Sequence, residues 1–251
     1  MRYGTGPLAN TPTVVKNLVI INALMLLVKL MGDGQLLGYD LDEVLGMHYI
    51  SSPDFKPWQL VTYMFMHGSF WHLLSNMFGL FFLGSPLEYR WGSKRFLTYY
   101  MICGVGAAVL NTGVQAWQYQ QIAPLLDPDA LAQLKLHGID WLNTHFMELG
   151  EVDPDLVSMA QLLFIPMVGA SGAVFGILVA FGMLYPNVEL MIFPLPIPIK
   201  AKYFVLLYGG YEIYAGFAQH QGDNVAHFAH IGGLVVGFIT VMIWKRRLPH
   251  T

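Results

Sequence analysis

Charge is scarce in this chain. Only 12% of its 251 residues are Asp, Glu, Lys or Arg, roughly half the share usual in soluble domains. The few charges are clustered, which leaves long uncharged runs and no polar half. That pattern excludes a soluble domain carried on an anchor and leaves one membrane-embedded domain. Cysteine is scarcer still: Cys103 stands alone, so there is no intramolecular disulfide. There is no H-E-x-x-H helix, and no carboxylate is spaced to complete a histidine metal site, which argues against a metalloprotease or a metal transporter. No glycine-rich phosphate motif and no basic nucleic-acid patch occurs, so neither a cofactor nor a nucleic-acid partner is expected. The first thirteen residues lack the basic start and small-residue cleavage site of a secretory signal, so the N-terminus is expected to be retained. No internal repeat or low-complexity tract appears.

What the chain does have is apolar sequence, 55% of its residues. Six apolar segments cover residues 14–31, 70–87, 96–117, 162–185, 203–218 and 226–244, each near the ~20 residues that cross ~30 Å of hydrocarbon. The expected fold is therefore an all-α, polytopic bundle of six transmembrane helices. Six crossings put both termini on one side, together with Arg2, Lys16, Arg90, Lys94, Arg95, Lys200, Lys202, Lys245, Arg246 and Arg247. The other side keeps Lys29, Lys56 and Lys135, and it gathers Asp33, Asp40, Asp42, Glu43, Asp54 and seven further acids between Asp127 and Asp155. The positive-inside rule then makes both termini cytoplasmic. The expected organisation is a cytoplasmic segment 1–13, a membrane domain 14–244 with an outer insertion 118–161, and a basic tail 245–251. Within the insertion a helix-like run covers 128–149, and the whole reads as a solvated outer cap.

The fourth segment is interrupted by Pro166 and Gly169, which disfavour a continuous helix. A helix from Ser171 to the Tyr185-Pro186 boundary rises only about 22 Å, so residues 162–170 are expected to dip in without helical structure. Ser171 then lies at a helix N-terminus, roughly 8 Å beneath the outer hydrocarbon edge. Counting back from the cytoplasmic ends of the second and sixth segments puts His72, Asn76 and His230 at ~24, ~18 and ~22 Å, nearly one depth with Ser171. Gly172 and Gly176 on one helix, and Gly233 and Gly237 on the other, are small-xxx-small pairs that let backbones approach.

A hydroxyl and an imidazole in hydrocarbon are costly unless paired or used. Ser171 is the candidate nucleophile and His230 its base. No acid accompanies them at that depth, so the expectation is a pair without a third carboxylate. Phe175, one turn after Ser171, can pack on the imidazole and orient it. The Ser171 N–H and the side chains of His72 and Asn76, which share a helix face, are candidate oxyanion donors. His67 and His227 are expected to structure loops near the outer interface. Glu212 reads equally as a hydrogen-bonded structural acid or a proton site.

These residues carry a resemblance. Gly169-Ala170-Ser171-Gly172, His72-Leu73-Leu74-Ser75-Asn76 and Ala229-His230-Ile231-Gly232-Gly233 with Gly237 are similar to the G-x-S-G, H-x-x-x-N and A-H-x-x-G-x-x-x-G motifs of the rhomboid intramembrane serine proteases. The chain resembles that family from about Trp58 to Trp244. The resemblance implies a six-helix rhomboid-like core, a Ser171/His230 dyad, an oxyanion site using His72 and Asn76, and transmembrane-protein substrates met within the lipid bilayer. The chain differs from the family in carrying Trp58-Gln59 for a Trp-Arg pair, Phe175 for a frequent Tyr, and the long 118–161 insertion. The expected location is a bacterial cytoplasmic membrane, with the site opening outward. Substrate access is expected beside the fifth helix and beneath residues 219–225. Rhomboid-like proteins that bind and sort membrane proteins without cleaving them typically lose the Ser or the His; this chain has both.

Overall fold

The computed structural model describes residues 11–149, 153–192, 195–218 and 226–247. Helices occupy all six apolar segments. Helix α1 (Thr13–Met31) has no side-chain cap of its own. Its leading amides donate instead to the buried Glu88, Val14 N at 2.9 Å and Val15 N at 2.8 Å, and Ser93 Oγ joins them at 2.6 Å. A carboxylate there satisfies orphan donors and faces the positive end of the helix dipole. At the other end of α1, Lys29 ion-pairs with Asp42 and donates to the His67 carbonyl at 3.2 Å.

The first loop is ordered by short elements. Strands β1 (Gln35–Leu36) and β2 (Tyr39–Asp40) pair antiparallel, α2 (Leu41–Leu45) is capped by Asp40, and α3 (Gln59–Thr62) leads into a 3-10 turn, Tyr63–Phe65. The fully buried Gln59 ties this loop together. Its Oε1 accepts from His48 N and Lys56 N, and its Nε2 donates to the carbonyls of Glu43 and Asp54.

The second apolar segment is α4 (Phe70–Gly79), a π turn (Leu80–Gly84) and α5 (Ser85–Trp91). Helix α6 (Ser93–Ile122) follows. It runs well past residue 117, so the 118–161 insertion is more helical than expected. There α7 (Pro128–Leu149), kinked at Gly138, packs on α8 (Pro154–Phe164) through Leu126, Leu134, Leu142, Leu156, Met159 and Leu163. The helix expected over 128–149 is present, and the cap expected there has a small second core of its own.

Helix α9 (Ser171–Leu184) is the centre of the bundle, with ten of its fourteen residues buried. A hairpin of β3 (Glu189–Ile192) and β4 (Leu195–Lys200) connects it to α10 (Ala201–Ala218), and α11 (His227–Arg247) closes the chain. In lipid such helices are held by close packing rather than by water exclusion. Accordingly, a β-carbon on Gly176 would lie 2.4 Å from Cys103 Sγ on α6, and one on Gly237 would lie 2.8 Å from Gly176 Cα.

Only residues 165–170 before α9 are non-helical; α8 continues to Phe164. The expected break at 162 is therefore three residues too early, because Pro166 constrains Ile165 and not the residues before it. The backbone of this dip finds partners in the first loop. Met47 and Met167 exchange both N–H···O bonds, at 2.8 and 2.9 Å, and Gly169 N donates to Tyr63 O at 3.0 Å. Irregular backbone at membrane depth requires such partners.

Among the described residues, α1, Ser93–Leu125 and His227–Lys245 are long and apolar enough to cross a membrane, and α9 is a shorter apolar helix. Their outer faces expose Leu24, Leu30, Leu110, Val235, Phe238 and Ile239. This is an integral membrane protein.

Candidate active site

The site is assembled by the first turns of α9 and α11, the start of α4 and the end of α10. Gly169 sets the turn into α9. Its φ of +130° is a conformation that side-chain-bearing residues rarely adopt. A β-carbon there would also fall 2.8 Å from His72 Nε2 and 3.6 Å from Ser171 Oγ. Glycine at 169 thus lets the start of α4 and the start of α9 meet.

Ser171 is the first residue of α9 and is half-buried. His230, in the first turn of α11, points its Nε2 at Ser171 Oγ, 2.8 Å away. The two helices come together through their glycines: a β-carbon on Gly233 would sit 1.9 Å from the Gly172 carbonyl oxygen. Phe175 lies flat on the His230 ring, with centroids 4.2 Å apart and planes 13° from parallel, and its far side meets Tyr208 of α10.

Sequence reading leaves His230 without an acidic neighbour, and the structure corrects this. Glu212 of α10 is buried, and its Oε2 lies 2.9 Å from His230 Nδ1 and 2.6 Å from His227 Nδ1. The depth count sets it apart because, counted from Lys202 at the start of α10, Glu212 lies only about 15 Å up, against ~22 Å for His230. Glu212 is six residues before the end of α10, about 9 Å, and His230 is three residues into α11, about 5 Å, so both belong to one end of the bundle. His227 is likewise part of this cluster, beyond any loop-structuring role. The three ligand-type atoms lie within 4.8 Å of one another. The N···O distances are hydrogen-bond lengths, whereas donors around a tetrahedral zinc at 2.0–2.1 Å are spaced roughly 3.3 Å apart.

His72 and Asn76 lie one turn apart on α4. His72 Nδ1 accepts from Gly68 N at 3.4 Å, which leaves the proton on Nε2, the nitrogen nearest Gly169. Asn76 is buried, and its Nδ2 has no acceptor among the described residues. A buried unpaired donor costs about 1–3 kcal/mol. The neighbouring His67 packs edge-on to His72 at 5.0 Å. Burial, and secondarily His72, pushes its imidazole down to about 3, so it stays neutral.

Sequence comparison gives the family of the chain. The family profile described as Rhomboid domain matches residues 54–247. The chain is similar to "Rhomboid protein 1, mitochondrial" of Saccharomyces cerevisiae, at 27% identity over 175 residues, covering 70% of this chain and 38% of that protein. It is also similar to "Rhomboid protease AarA" of Providencia stuartii, at 26% identity over 200 residues, covering 77% of this chain and 57% of that protein. A shorter match, 38% identical over 55 residues, covers 22% of this chain and 17% of "RHOMBOID-like protein 2" of Arabidopsis thaliana. The chain thus spans about two fifths and just over half of the first two relatives. The profile takes in most of the chain, including every residue of the site just described: this protein belongs to the rhomboid family.

Proposed function

We propose that this protein is an intramembrane serine endopeptidase that cleaves other transmembrane proteins. The observation that carries the reading is the 2.8 Å contact between Ser171 Oγ and His230 Nε2 at a helix N-terminus inside an apolar bundle. A relative named as a rhomboid protease supports it.

In this reading His230 Nε2 takes the Ser171 proton as Oγ bonds the scissile carbonyl carbon. The carbonyl electrons move to oxygen, and the oxyanion is met by the Ser171 N–H, His72 Nε2–H and Asn76 Nδ2–H. Asn76 then finds the acceptor it otherwise lacks. His230 returns its proton to the leaving amine, and water drawn in by the same imidazole releases the acyl group from Ser171. Phe175 holds the imidazole plane by stacking. Gly169, Gly172, Gly176, Gly233 and Gly237 hold the helices at the required distance.

For orientation we propose six crossings with both termini cytoplasmic, supported by the clustering of basic residues on one side. The site then opens to the outer side of the membrane, which we take to be a bacterial cytoplasmic membrane. Substrate would approach beside α10, whose outer face exposes Leu206, Leu207, Tyr211 and Phe217; residues 219–225, beneath which access is expected, lie outside the described residues. The deciding experiment is cleavage of a single-pass substrate in proteoliposomes. Turnover is expected from the wild-type protein and none from Ser171→Ala or His230→Ala. Binding of the substrate without any cleavage by the wild-type protein would instead identify a sorting factor.

A further inference from the structure

Glu212 has no part in a serine–histidine dyad, yet it sits against the side of His230 that faces away from Ser171. We infer that Glu212 is a positioning residue for the catalytic histidine, with His227 as its second hydrogen-bond partner; this rests on the serine endopeptidase reading. The argument begins with cost. Glu212 is 2% exposed inside an apolar bundle, and a carboxylate there is tolerated only when its lone pairs are used. Its Oε2 meets Nδ1 of both histidines, at 2.9 Å for His230 and 2.6 Å for His227.

An ionised carboxylate only accepts hydrogen bonds, so each imidazole presents N–H at Nδ1. That choice of tautomer leaves the lone pair of His230 on Nε2, the atom 2.8 Å from Ser171 Oγ. Among the described residues no other group bonds His230 Nδ1. Phe175 fixes the plane of the ring, while Glu212 fixes its rotation within that plane and its tautomer. During attack the Oγ–H bond breaks and Nε2–H forms; the Nδ1 proton stays on His230, and Glu212 remains an anion beside the new imidazolium. His227 lies one turn before His230 on the same face of α11. Its donated proton keeps the carboxylate ionised and turned toward His230. The titratable groups facing His230 are Glu212 of α10, His227 of its own helix and His72 of α4, while Tyr208 of α10 packs on Phe175.

The test compares wild type, Glu212→Gln, Glu212→Asp, His227→Gln and Ser171→Ala as full chains in proteoliposomes. It follows single-pass substrate turnover from pH 5 to 9 and the rate of fluorophosphonate labelling of Ser171. Glu212→Gln keeps the shape of the side chain but can hand Nδ1 a donor. It should lower kcat by about 10²- to 10⁴-fold, with KM little changed, as loss of the acid does in a serine protease triad. The acid limb of its pH profile should move to lower pH, because the imidazolium has lost its anion. Glu212→Asp should recover part of kcat, and His227→Gln should lose less than Glu212→Gln. Wild-type kcat and pH profile in Glu212→Gln, with Ser171→Ala inactive, would overturn the role of Glu212 alone. Turnover by Ser171→Ala would overturn the protease reading itself. If Glu212→Gln fails to fold, Glu212→Asp decides: a loss of tenfold or more with the same shift of the acid limb supports the role, and a wild-type profile overturns it. Stoichiometric zinc in the wild-type protein, absent from Glu212→Gln and required for turnover, would overturn the hydrogen-bonded row in favour of a metal centre.

Discussion

The carbonyl oxygen of Gly172 occupies the place a side chain at Gly233 would need: a β-carbon on Gly233 would come within 1.9 Å of it. Helices α9 and α11 touch there backbone to backbone, one residue beyond Ser171 and three residues beyond His230. The spacing of the two reacting side chains is therefore set by two residues that have none.

Gly233→Ala should push α11 off α9. The obstacle is backbone, which cannot rotate away, so a loss of about 1–3 kcal/mol or more in stability is expected. A displacement near 1 Å at the reacting pair would lower kcat by about 10²-fold. Gly113→Ala and Gly210→Ala are the controls, since a β-carbon at either meets nothing within 4 Å; both should match or slightly exceed wild-type stability. Thermal melting in detergent and turnover per folded molecule measure the two effects. Equal behaviour of all three variants would refute the spacing argument.

His72→Ala and Asn76→Ala should each lower kcat by roughly 10- to 1000-fold, because each removes a donor aimed at a developing oxyanion. Asn76→Ala should cost little stability, since its Nδ2 has no acceptor among the described residues. A drop in melting temperature with unchanged turnover per folded molecule would mean that these residues only hold helices together.

Topology can be read chemically. With Cys103 replaced, a cysteine placed at Asp153 should react with an impermeant thiol reagent added outside intact cells, and one at Arg247 should not. The reverse pattern would turn the whole protein over and discard the charge argument behind it.

If Ser171 is the nucleophile in the proposed orientation, its depth constrains where a substrate can be cut. A nucleophile roughly 8 Å beneath the outer hydrocarbon edge reaches only the outer end of a transmembrane helix. Helical carbonyls are engaged in i→i−4 bonds, so that end must unwind first, which glycine favours. Cleavage is expected after a small residue such as Ala or Gly, suited to a site lined by Gly169, Ala170 and Gly172. Replacing the helix-weakening residues of the substrate with Leu should slow the reaction without moving the cut. Mass-spectrometric mapping of the cut to the cytoplasmic end of the substrate helix would be incompatible with this geometry.

The relation between sequence and structure differs from element to element. Ser171, His230, His72 and Asn76 are expected at one depth by counting about 1.5 Å per residue from cytoplasmic ends marked by charge or proline, and the structure brings Ser171 and His230 together at 2.8 Å. Glu212 stands apart from them because the same count from Lys202, at the start of α10, puts it only about 15 Å up, below His230 at ~22 Å, a gap that its side chain closes. The π turn at Leu80–Gly84 and the second core of α7 and α8 were equally illegible. The first depends on a local change of hydrogen-bond register that residue type does not encode, and the second on which faces of two neighbouring helices turn toward each other. Gln59 and Glu88 left no periodic trace either, since each acts by reaching backbone far away in sequence.

Helix α1 precedes the stretch that matches the rhomboid domain, yet it is not a loose appendage. Glu88 grips the amides of Val14 and Val15 in its first turn, and Lys29 in its last turn is bonded to Asp42 and to the His67 carbonyl. A rod fastened at both ends cannot swing aside to admit a guest. On the protease reading proposed above, this flank of the bundle is a wall, and a substrate helix would enter elsewhere.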